Sequence, residues 1–150
     1  MASTTSHTIA IQGGDVRREL QAAAAITPGH LLEIASGKAQ KHSGDSGVLP
    51  GKLIALEDPC AAAGTTEAID VAYDTSDTVY IAHGQPGDVY YMWLKAGETT
   101  VAGVTQLVSD GAGALKAVTV GATTLEGAVV GVAEEAVTAV AVARVRVRIT

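Results

Sequence analysis

Few residues of this chain have the types and spacing that catalysis requires. Ser46 lies in the segment Gly44–Gly47, where glycines flank an Asp-Ser pair, which is one setting for a serine nucleophile. Such a serine needs a histidine base and a carboxylate that orients the histidine. No histidine here has that context, and 150 residues are too few for the two barrels that bring such a triad together. We therefore expect Gly44–Gly47 to form a turn, and we expect the protein not to be an enzyme.

Metal and cofactor sites have no better support in the sequence. The histidines His7, His30, His42 and His83 lack the HxH or HxxxH spacing of a zinc site. No glycine-rich phosphate loop is present. Cys60 is the single cysteine, which excludes an intrachain disulfide, and its neighbours predict a buried thiol of low reactivity. We expect no cofactor and no metal.

Aromatic residues offer one alternative binding function. Tyr91 and Trp93 have the same parity in the segment Val89–Leu94, which has the strongest strand pattern in the chain. Side chains two apart on a strand share one face. Together they predict either packing into the core or a platform for stacking a sugar ring. The second interpretation is a carbohydrate-binding surface module.

The composition indicates which elements must position these residues. Ala (27), Val (18), Gly (17) and Thr (16) make up 78 of the 150 residues, and Phe is absent. Abundant Val, Thr and Gly favour short strands joined by tight turns over a helical bundle. The sequence therefore predicts an all-β domain, either a small β-barrel or a β-sandwich.

The strand pattern divides the chain at regular intervals. A helical turn is predicted over Cys60–Ala68. The predicted strands are Leu31–Ile34, Leu53–Leu56, Ile69–Tyr73, Thr78–His83, Val89–Leu94, Gly103–Val108, Ala114–Val120, Val129–Ala133 and Ala139–Thr150. In the last of these, one face is apolar throughout. The other face begins with Val140 and Val142, which we expect to be covered, and continues with arginines.

Charge limits the partners of the domain. The net charge is −6, which disfavours a nucleic-acid partner because such binding depends on a basic patch. No apolar run is long enough for a membrane span, and residues 1–14 lack the features of a secretory signal, so a reducing compartment is expected. Seven acids lie between Glu57 and Asp88 without a Lys or Arg.

The two ends of the chain are the candidate contact sites. Residues 1–14 are polar with a short apolar pair, and we predict a flexible N-terminal arm there, followed by a single β-domain over residues 15–150. Three arginines alternate near the C-terminus, where carboxylates of a neighbouring subunit can pair with them. The predicted contacts with a partner surface or a neighbouring subunit are His7, Ile9, Ile11, Arg144, Arg146 and Arg148.

The order of several short segments adds a family resemblance. These segments are Ile26–Glu33, Gly37–Ser43, Leu53–Asp58, Gly87–Tyr90, Val108–Lys116, Val130–Ala133 and Arg144–Ile149. Their succession, over roughly residues 23–150, resembles the capsid decoration (cement) proteins of tailed bacteriophages. The resemblance implies an all-β virion protein, made in the host cytoplasm, that binds the major capsid protein on the outer surface of the mature head. It also implies homo-oligomers, with a trimer favoured over a dimer. The alternative remains a carbohydrate-binding surface or tail module of a virion.

Overall fold

The computed structural model describes residues 7–13, 16–45, 50–61, 67–119 and 128–150. These residues form eleven β-strands and one short 3-10 turn, Ala68–Asp70. The strands are β1 (Ala10–Gln12), β2 (Arg17–Gln21), β3 (Leu31–Ala35), β4 (Lys38–Lys41), β5 (Leu53–Ala55), β6 (Thr78–His83), β7 (Val89–Leu94), β8 (Gln106–Ser109), β9 (Leu115–Ala117), β10 (Val129–Ala133) and β11 (Ala143–Ile149).

The first sheet has six strands in the order β1-β7-β11-β10-β8-β9. The five strands from β7 to β9 in that order close into a barrel, because β9 pairs back onto β7 in parallel at Leu115 and Leu94. Alternation along β7 and β11 points one set of side chains inward, where Tyr90, Met92 and Val147 are fully buried. The all-β prediction is confirmed, in its barrel form.

A second sheet, in the order β2-β6-β5-β3-β4, packs beside the barrel. A parallel bridge between Ala22 and Ala39 joins its two edges at one point. Neighbouring residues of β3 point to opposite sides of this sheet: Leu31 belongs to the barrel core, whereas Leu32 belongs to a second hydrophobic core. The sheet therefore separates two cores and contributes to both.

One glycine permits the close approach of two barrel strands. A Cβ atom added to Gly131 in β10 would lie 2.2 Å from the backbone oxygen of Arg148 in β11. Any other residue would push the two strands apart. Gly131 therefore fixes the position of β11, which carries the arginines.

The segment around Ile69–Tyr73 and the exposure of Cys60 differ from what the sequence predicts. The predicted strand Ile69–Tyr73 is wrong: the 3-10 turn Ala68–Asp70 is followed by a single bridge between Tyr73 and Ile26. The buried Tyr73 hydroxyl donates to the Leu56 carbonyl, which holds this irregular segment in place. The helical turn predicted over Cys60–Ala68 lies largely in 62–66, outside the described residues. Cys60 itself is exposed rather than buried.

The last strand is shorter than its alternating pattern predicts. β11 begins at Ala143, because Ala139 is hydrogen-bonded in the turn region to Gly97 and Glu98. Val140 and Val142 therefore project from a loop and are 91% and 56% exposed. The expectation that they are covered is wrong.

From residue 9 onward, the N-terminal segment pairs with the barrel. β1 pairs with β7, the backbone oxygen of Ile9 accepts from the N–H of Tyr91, and the Ile9 side chain is fully buried. Burial of an isoleucine and satisfaction of an open strand edge hold the segment down. Residues 9–12 are therefore extended and held against the barrel, residues 1–6 and 14–15 lie outside the described residues, and the arm over residues 1–14 stays a prediction. The single domain over 15–150 stays a prediction.

Candidate attachment surfaces

The three C-terminal arginines lie in a row on the outer side of the barrel. In the pairing of β11 with β7, Arg144 is opposite Trp93 and Arg146 is opposite Tyr91. Residues of equal parity on paired strands share a face, so these side chains form one surface. We call the surface formed by Arg144, Arg146, Arg148, Tyr91 and Trp93 the arginine face.

Arg144 is used inside the molecule. Its guanidinium lies 4.1 Å from the centre of the Trp93 ring, at cation–π distance, and Nη1 is 2.6 Å from the Asp70 carboxylate. Nη2 donates to the carbonyl oxygens of Pro28, at 3.2 Å, and of Ile69. The Arg144 side chain is only 7% exposed. This residue ties three separate segments to β11 and presents little surface to a partner.

The other two arginines also lie next to acids of the same chain. Arg148 forms a 2.7 Å ion pair with Glu134, and the backbone N–H of Arg146 donates to Glu135 at 2.8 Å. Both acids directly follow β10, the other neighbour of β11. Burial, followed by the charge of Glu135, raises the pKa of Tyr91 on the same face. Repulsion within the arginine row is therefore offset by acids of the same chain.

The predicted N-terminal contacts also have partners within the chain. His7 Nδ1 lies 3.3 Å from Glu67, with both side chains exposed. The carboxylate of Glu57 accepts hydrogen bonds from the Thr8 hydroxyl and, at 3.0 Å, from the Ile9 N–H. Ile11 is 36% exposed and is the most accessible apolar side chain of this segment.

Gly29 joins the N-terminal segment to the arginine face. A Cβ atom there would lie 3.4 Å from both Arg144 Nε and Ile9 Cδ1, and only 2.8 Å from the Tyr91 carbonyl oxygen. Its φ of +92° is also a conformation that favours glycine. The structure thus places Ile9 and Arg144 on either side of Gly29, next to β7.

Trp93 is poorly placed for stacking a sugar. Arg144 covers the ring, Nε1 donates to the Pro28 carbonyl oxygen at 2.9 Å, and the His30 ring centre is 5.8 Å away. A sugar ring would have to displace Arg144 to reach the face that it occupies. Nothing in this geometry favours the carbohydrate alternative over a structural role.

His42 and His30, which precede the Gly-Asp-Ser-Gly segment in the chain, have structural contacts. His42 and Ser109 are both buried, and His42 Nδ1 is 2.8 Å from the Ser109 hydroxyl, which links the barrel to the second sheet. Burial and the charge of Lys41 lower the pKa of His30 to about 4. Ser46 lies outside the described residues.

Within residues 7–13, 16–45, 50–61, 67–119 and 128–150, no group of three His, Cys, Asp or Glu side chains is arranged to hold a metal ion. None of the helices found there is long and apolar enough to cross a membrane.

An apolar surface that the sequence analysis did not identify lies at one end of the barrel. Val101, Val104, Val140 and Val142 are between 54% and 91% exposed. They lie in the loops beyond the end of β7, before β8 and before β11, and the antiparallel order of these strands brings those loops to the same end. We call these four residues the valine end.

The valine end lies in two stretches without charge. Residues 99–109 and 136–143 contain no Asp, Glu, Lys or Arg. Exposed apolar surface without charge marks interaction sites on soluble proteins. These two uncharged stretches were visible in the sequence, but the alternation of residues 139–150 assigned Val140 and Val142 to a covered strand face.

Comparison with solved structures shows a likeness in fold. No protein-family model and no curated protein matches the chain. Among solved structures, the fold is similar to the crystal structure of the N base of head fiber gp8.5 in bacteriophage phi29. The TM-score is 0.53, with 13% sequence identity over 88% of this chain and 92% of that chain. At this identity the likeness concerns the fold.

Proposed function

We propose that this protein is a capsid decoration protein, which attaches to the outer surface of the mature head of a tailed bacteriophage and stabilises its lattice. The observation that carries the proposal is the likeness in fold, over most of both chains, to the base of a phage head fiber. The order of sequence segments, which resembles decoration proteins, supports the same function independently.

The exposed surface suits attachment without catalysis. The arginines that stood out in the sequence are next to acids of the same chain, and Trp93 is covered by Arg144. In this proposal the protein is not an enzyme, uses no cofactor, and has neither nucleic acid nor membrane as partner. Its partners are the major capsid protein and further copies of itself, on the outside of a virion whose proteins are made in the host cytoplasm.

We assign self-association to the valine end, with a trimer as the expected oligomer. Copies that each carry a charge of −6 repel one another where acidic surfaces meet. The uncharged stretches 99–109 and 136–143 let copies approach without that penalty. Linked copies then bind the lattice through several weak contacts at once, which raises the overall affinity. Binding that prefers the mature lattice stabilises it by mass action.

The test uses phage heads. Purified protein is added to expanded heads that lack a decoration protein and, separately, to unexpanded procapsids. We expect binding to expanded heads and a higher disassembly temperature of those heads. Absence of binding, or binding without a change in that temperature, would contradict the proposal.

A pair of matched variants tests the valine end in the same assay. Val140→Asp places a charge on the valine end, whereas Ile34→Asp places one at a 41% exposed position of β3. Val140→Asp is expected to weaken head binding by about tenfold or more through lost avidity, and Ile34→Asp to leave it nearly unchanged. Equal effects of the two substitutions would remove the valine end from the proposal.

A further inference from the structure

A cleft of about 430 Å³ lies over one face of the second sheet. The sheet contributes Glu19 from β2, Tyr80 from β6 and Leu56, which directly follows β5. Thr8 and Ala10, beside and at the start of β1, also line the cleft, so it borders both sheets. Cavities that hold small organic ligands have volumes of about 300–1,000 Å³, and this cleft is large enough for one.

Strand pairing fixes which side chains meet on the sheet side of the cleft. In the antiparallel register of β2 with β6, Glu19 is opposite Tyr80. Arg17, two residues before Glu19, is opposite Ala82, two residues after Tyr80. Paired residues, and residues two apart on one strand, share a face of the sheet. This face therefore presents a guanidinium group, a carboxylate and a phenol ring to the cleft.

Tyr80 supplies a flat apolar surface in the cleft. The residue is half-buried and packs against both hydrophobic cores, which hold the ring in place. The charge of Glu19 is the largest cause of the raised pKa of Tyr80, so this carboxylate lies near the hydroxyl of the ring. The cleft thus offers an aromatic ring with a hydrogen-bond acceptor beside it.

The polar groups of the cleft differ in how far the fold already uses them. The carboxylate of Glu57 accepts hydrogen bonds from the Thr8 hydroxyl and the Ile9 N–H. Glu19, by contrast, is exposed and has no hydrogen-bond or ion-pair partner in the part of the chain that the structure describes. A guanidinium group has five N–H donors, so Arg17 can donate to a ligand and keep the interaction that it already has.

The balance of charges in the cleft favours a neutral ligand. An anion would lie next to Glu19 and Glu57, and a cation would lie next to Arg17 and Arg18, all of which line the cleft. A hydroxyl group both donates and accepts hydrogen bonds, so a neutral molecule with several hydroxyls can bind Arg17 and Glu19 at once. Hydrogen bonds to ionised groups are also stronger than those between neutral groups. A sugar has such hydroxyls, and its ring has an apolar face that can pack against Tyr80.

We propose that this cleft binds a carbohydrate, with a sugar ring packed against Tyr80 and its hydroxyls hydrogen-bonded to Arg17 and Glu19. The site is separate from Trp93, whose ring Arg144 covers. The inference goes beyond the proposed capsid attachment, because no residue of the valine end or of the arginine face lines the cleft.

The test compares two side chains of β2. Glu19→Ala removes the carboxylate from the cleft, whereas Gln21→Ala shortens an exposed side chain of the same strand and face that does not line the cleft. Substitutions of exposed residues change stability little, and thermal unfolding checks that both variants fold. Wild type and both variants are applied to an array of neutral and acidic oligosaccharides, and the neutral one that wild type binds best is then titrated in solution.

We expect wild type and Gln21→Ala to bind the same neutral oligosaccharides. Glu19→Ala should bind them at least about tenfold more weakly, because a hydrogen bond to a charged group is lost. Glu19→Gln keeps the size of the side chain without its charge, and should bind with intermediate affinity; it serves also if Glu19→Ala does not fold. On addition of the oligosaccharide, backbone amide NMR shifts should change at Glu19, Tyr80 and Leu56 but not at Trp93.

Three results would overturn the proposal: wild type binds no neutral oligosaccharide, the Glu19 variants bind as well as Gln21→Ala, or the amide shifts change at Trp93 instead of Tyr80. Phage heads give an independent measurement, in which Glu19→Ala should bind expanded heads as wild type does. If Glu19→Ala alone loses head binding, the cleft is part of the capsid contact and the carbohydrate assignment is wrong. If wild type binds the oligosaccharide but not heads, the cleft stands and the decoration function fails.

Discussion

The arginine face lies on strands β7 and β11, the valine end lies in the loops next to the end of β7 and the start of β11, and the two surfaces differ in what the fold leaves available. The arginine face has charge, aromatic rings and regular spacing, yet Arg144 is 7% exposed and bonded to several segments. The valine end has no charge and little pattern, yet Val140 is 91% exposed. In a chain with few large side chains, the fold uses the strongest interactions for itself. What remains for a partner is apolar surface.

The sharpest test of this contrast is Arg144→Ala. Removal of the guanidinium leaves Asp70 and the carbonyl oxygen of Ile69 without their donor and uncovers Trp93. Removing one partner of a buried pair costs about 3–5 kcal/mol, and Asp70 is half exposed, so we expect a loss of about 2–3 kcal/mol in the free energy of unfolding. Urea denaturation measures it.

Arg144→Lys is the control for the charge alone. Lysine keeps the charge beside Asp70 but cannot reproduce the flat stacking and the several donors, so an intermediate loss is expected. If both variants unfold like wild type, Arg144 is not a structural residue and becomes available again as a contact.

The second test measures how the free energy of unfolding depends on pH through His30, which lies beside the arginine face. Burial and Lys41 lower the pKa of His30 to about 4, and the Thr27 N–H donates to Nδ1, which only the neutral ring can accept. The charge of Arg144 also lowers the pKa of His30, and Arg144 covers Trp93, whose ring centre lies 5.8 Å from that of His30. The unfolded chain binds the proton near pH 6.5 and the folded chain only near pH 4, so this contribution is present above pH 6.5 and decreases as the pH falls from 6.5 to 4.

The expected size of the His30 effect is about 1–2 kcal/mol, since each pKa unit corresponds to about 1.4 kcal/mol and the ring is partly exposed. The measurement is the free energy of unfolding across that pH range, in wild type and in His30→Gln. The variant should have a shallower dependence on pH than wild type. Parallel curves would show that His30 is not the group responsible.

The elements with a clear period were predictable from the sequence, and the contacts between distant segments were not. Thr78–His83 and Val89–Leu94 were predicted with their observed bounds because alternation and flanking turns are local signals. Asp70 is 74 residues from Arg144, and their pairing depends on a 3-10 turn that the sequence predicted as a strand. The alternating pattern begins at residue 139, four residues before β11 begins at Ala143. The pattern is local, so it does not show that Ala139 forms hydrogen bonds with the distant Gly97 and Glu98.

Val140→Asp tests the other half of the contrast. A charge on an exposed loop residue should change the free energy of unfolding by less than about 0.5 kcal/mol. If copies associate through the valine end, the same substitution should weaken association about tenfold, measured by sedimentation equilibrium. Ile34→Asp is the matched control and should leave association unchanged. A stable monomeric wild-type protein would contradict the assignment of self-association to this surface.

The smallest expected loss in the free energy of unfolding is that for Arg148. Its comparison with Arg144 distinguishes the two ends of the arginine face. Its ion pair with Glu134 joins side chains that are 52% and 32% exposed, and such surface pairs contribute about 0.2–1 kcal/mol. Arg148→Ala should therefore cost about 0.5 kcal/mol at low salt and less at high salt, because salt screens exposed charges. A double-mutant cycle with Glu134→Ala isolates the pair.

The interaction free energy of Arg148 with Glu134 decides whether exposure distinguishes the arginines of this face. If it is as large as the loss for Arg144→Ala, then an exposed arginine stabilises the fold as much as a buried one, and exposure does not identify the arginines that a partner can reach. A small coupling leaves Arg148 as the arginine of this face that a partner carboxylate can recruit at little cost to the fold.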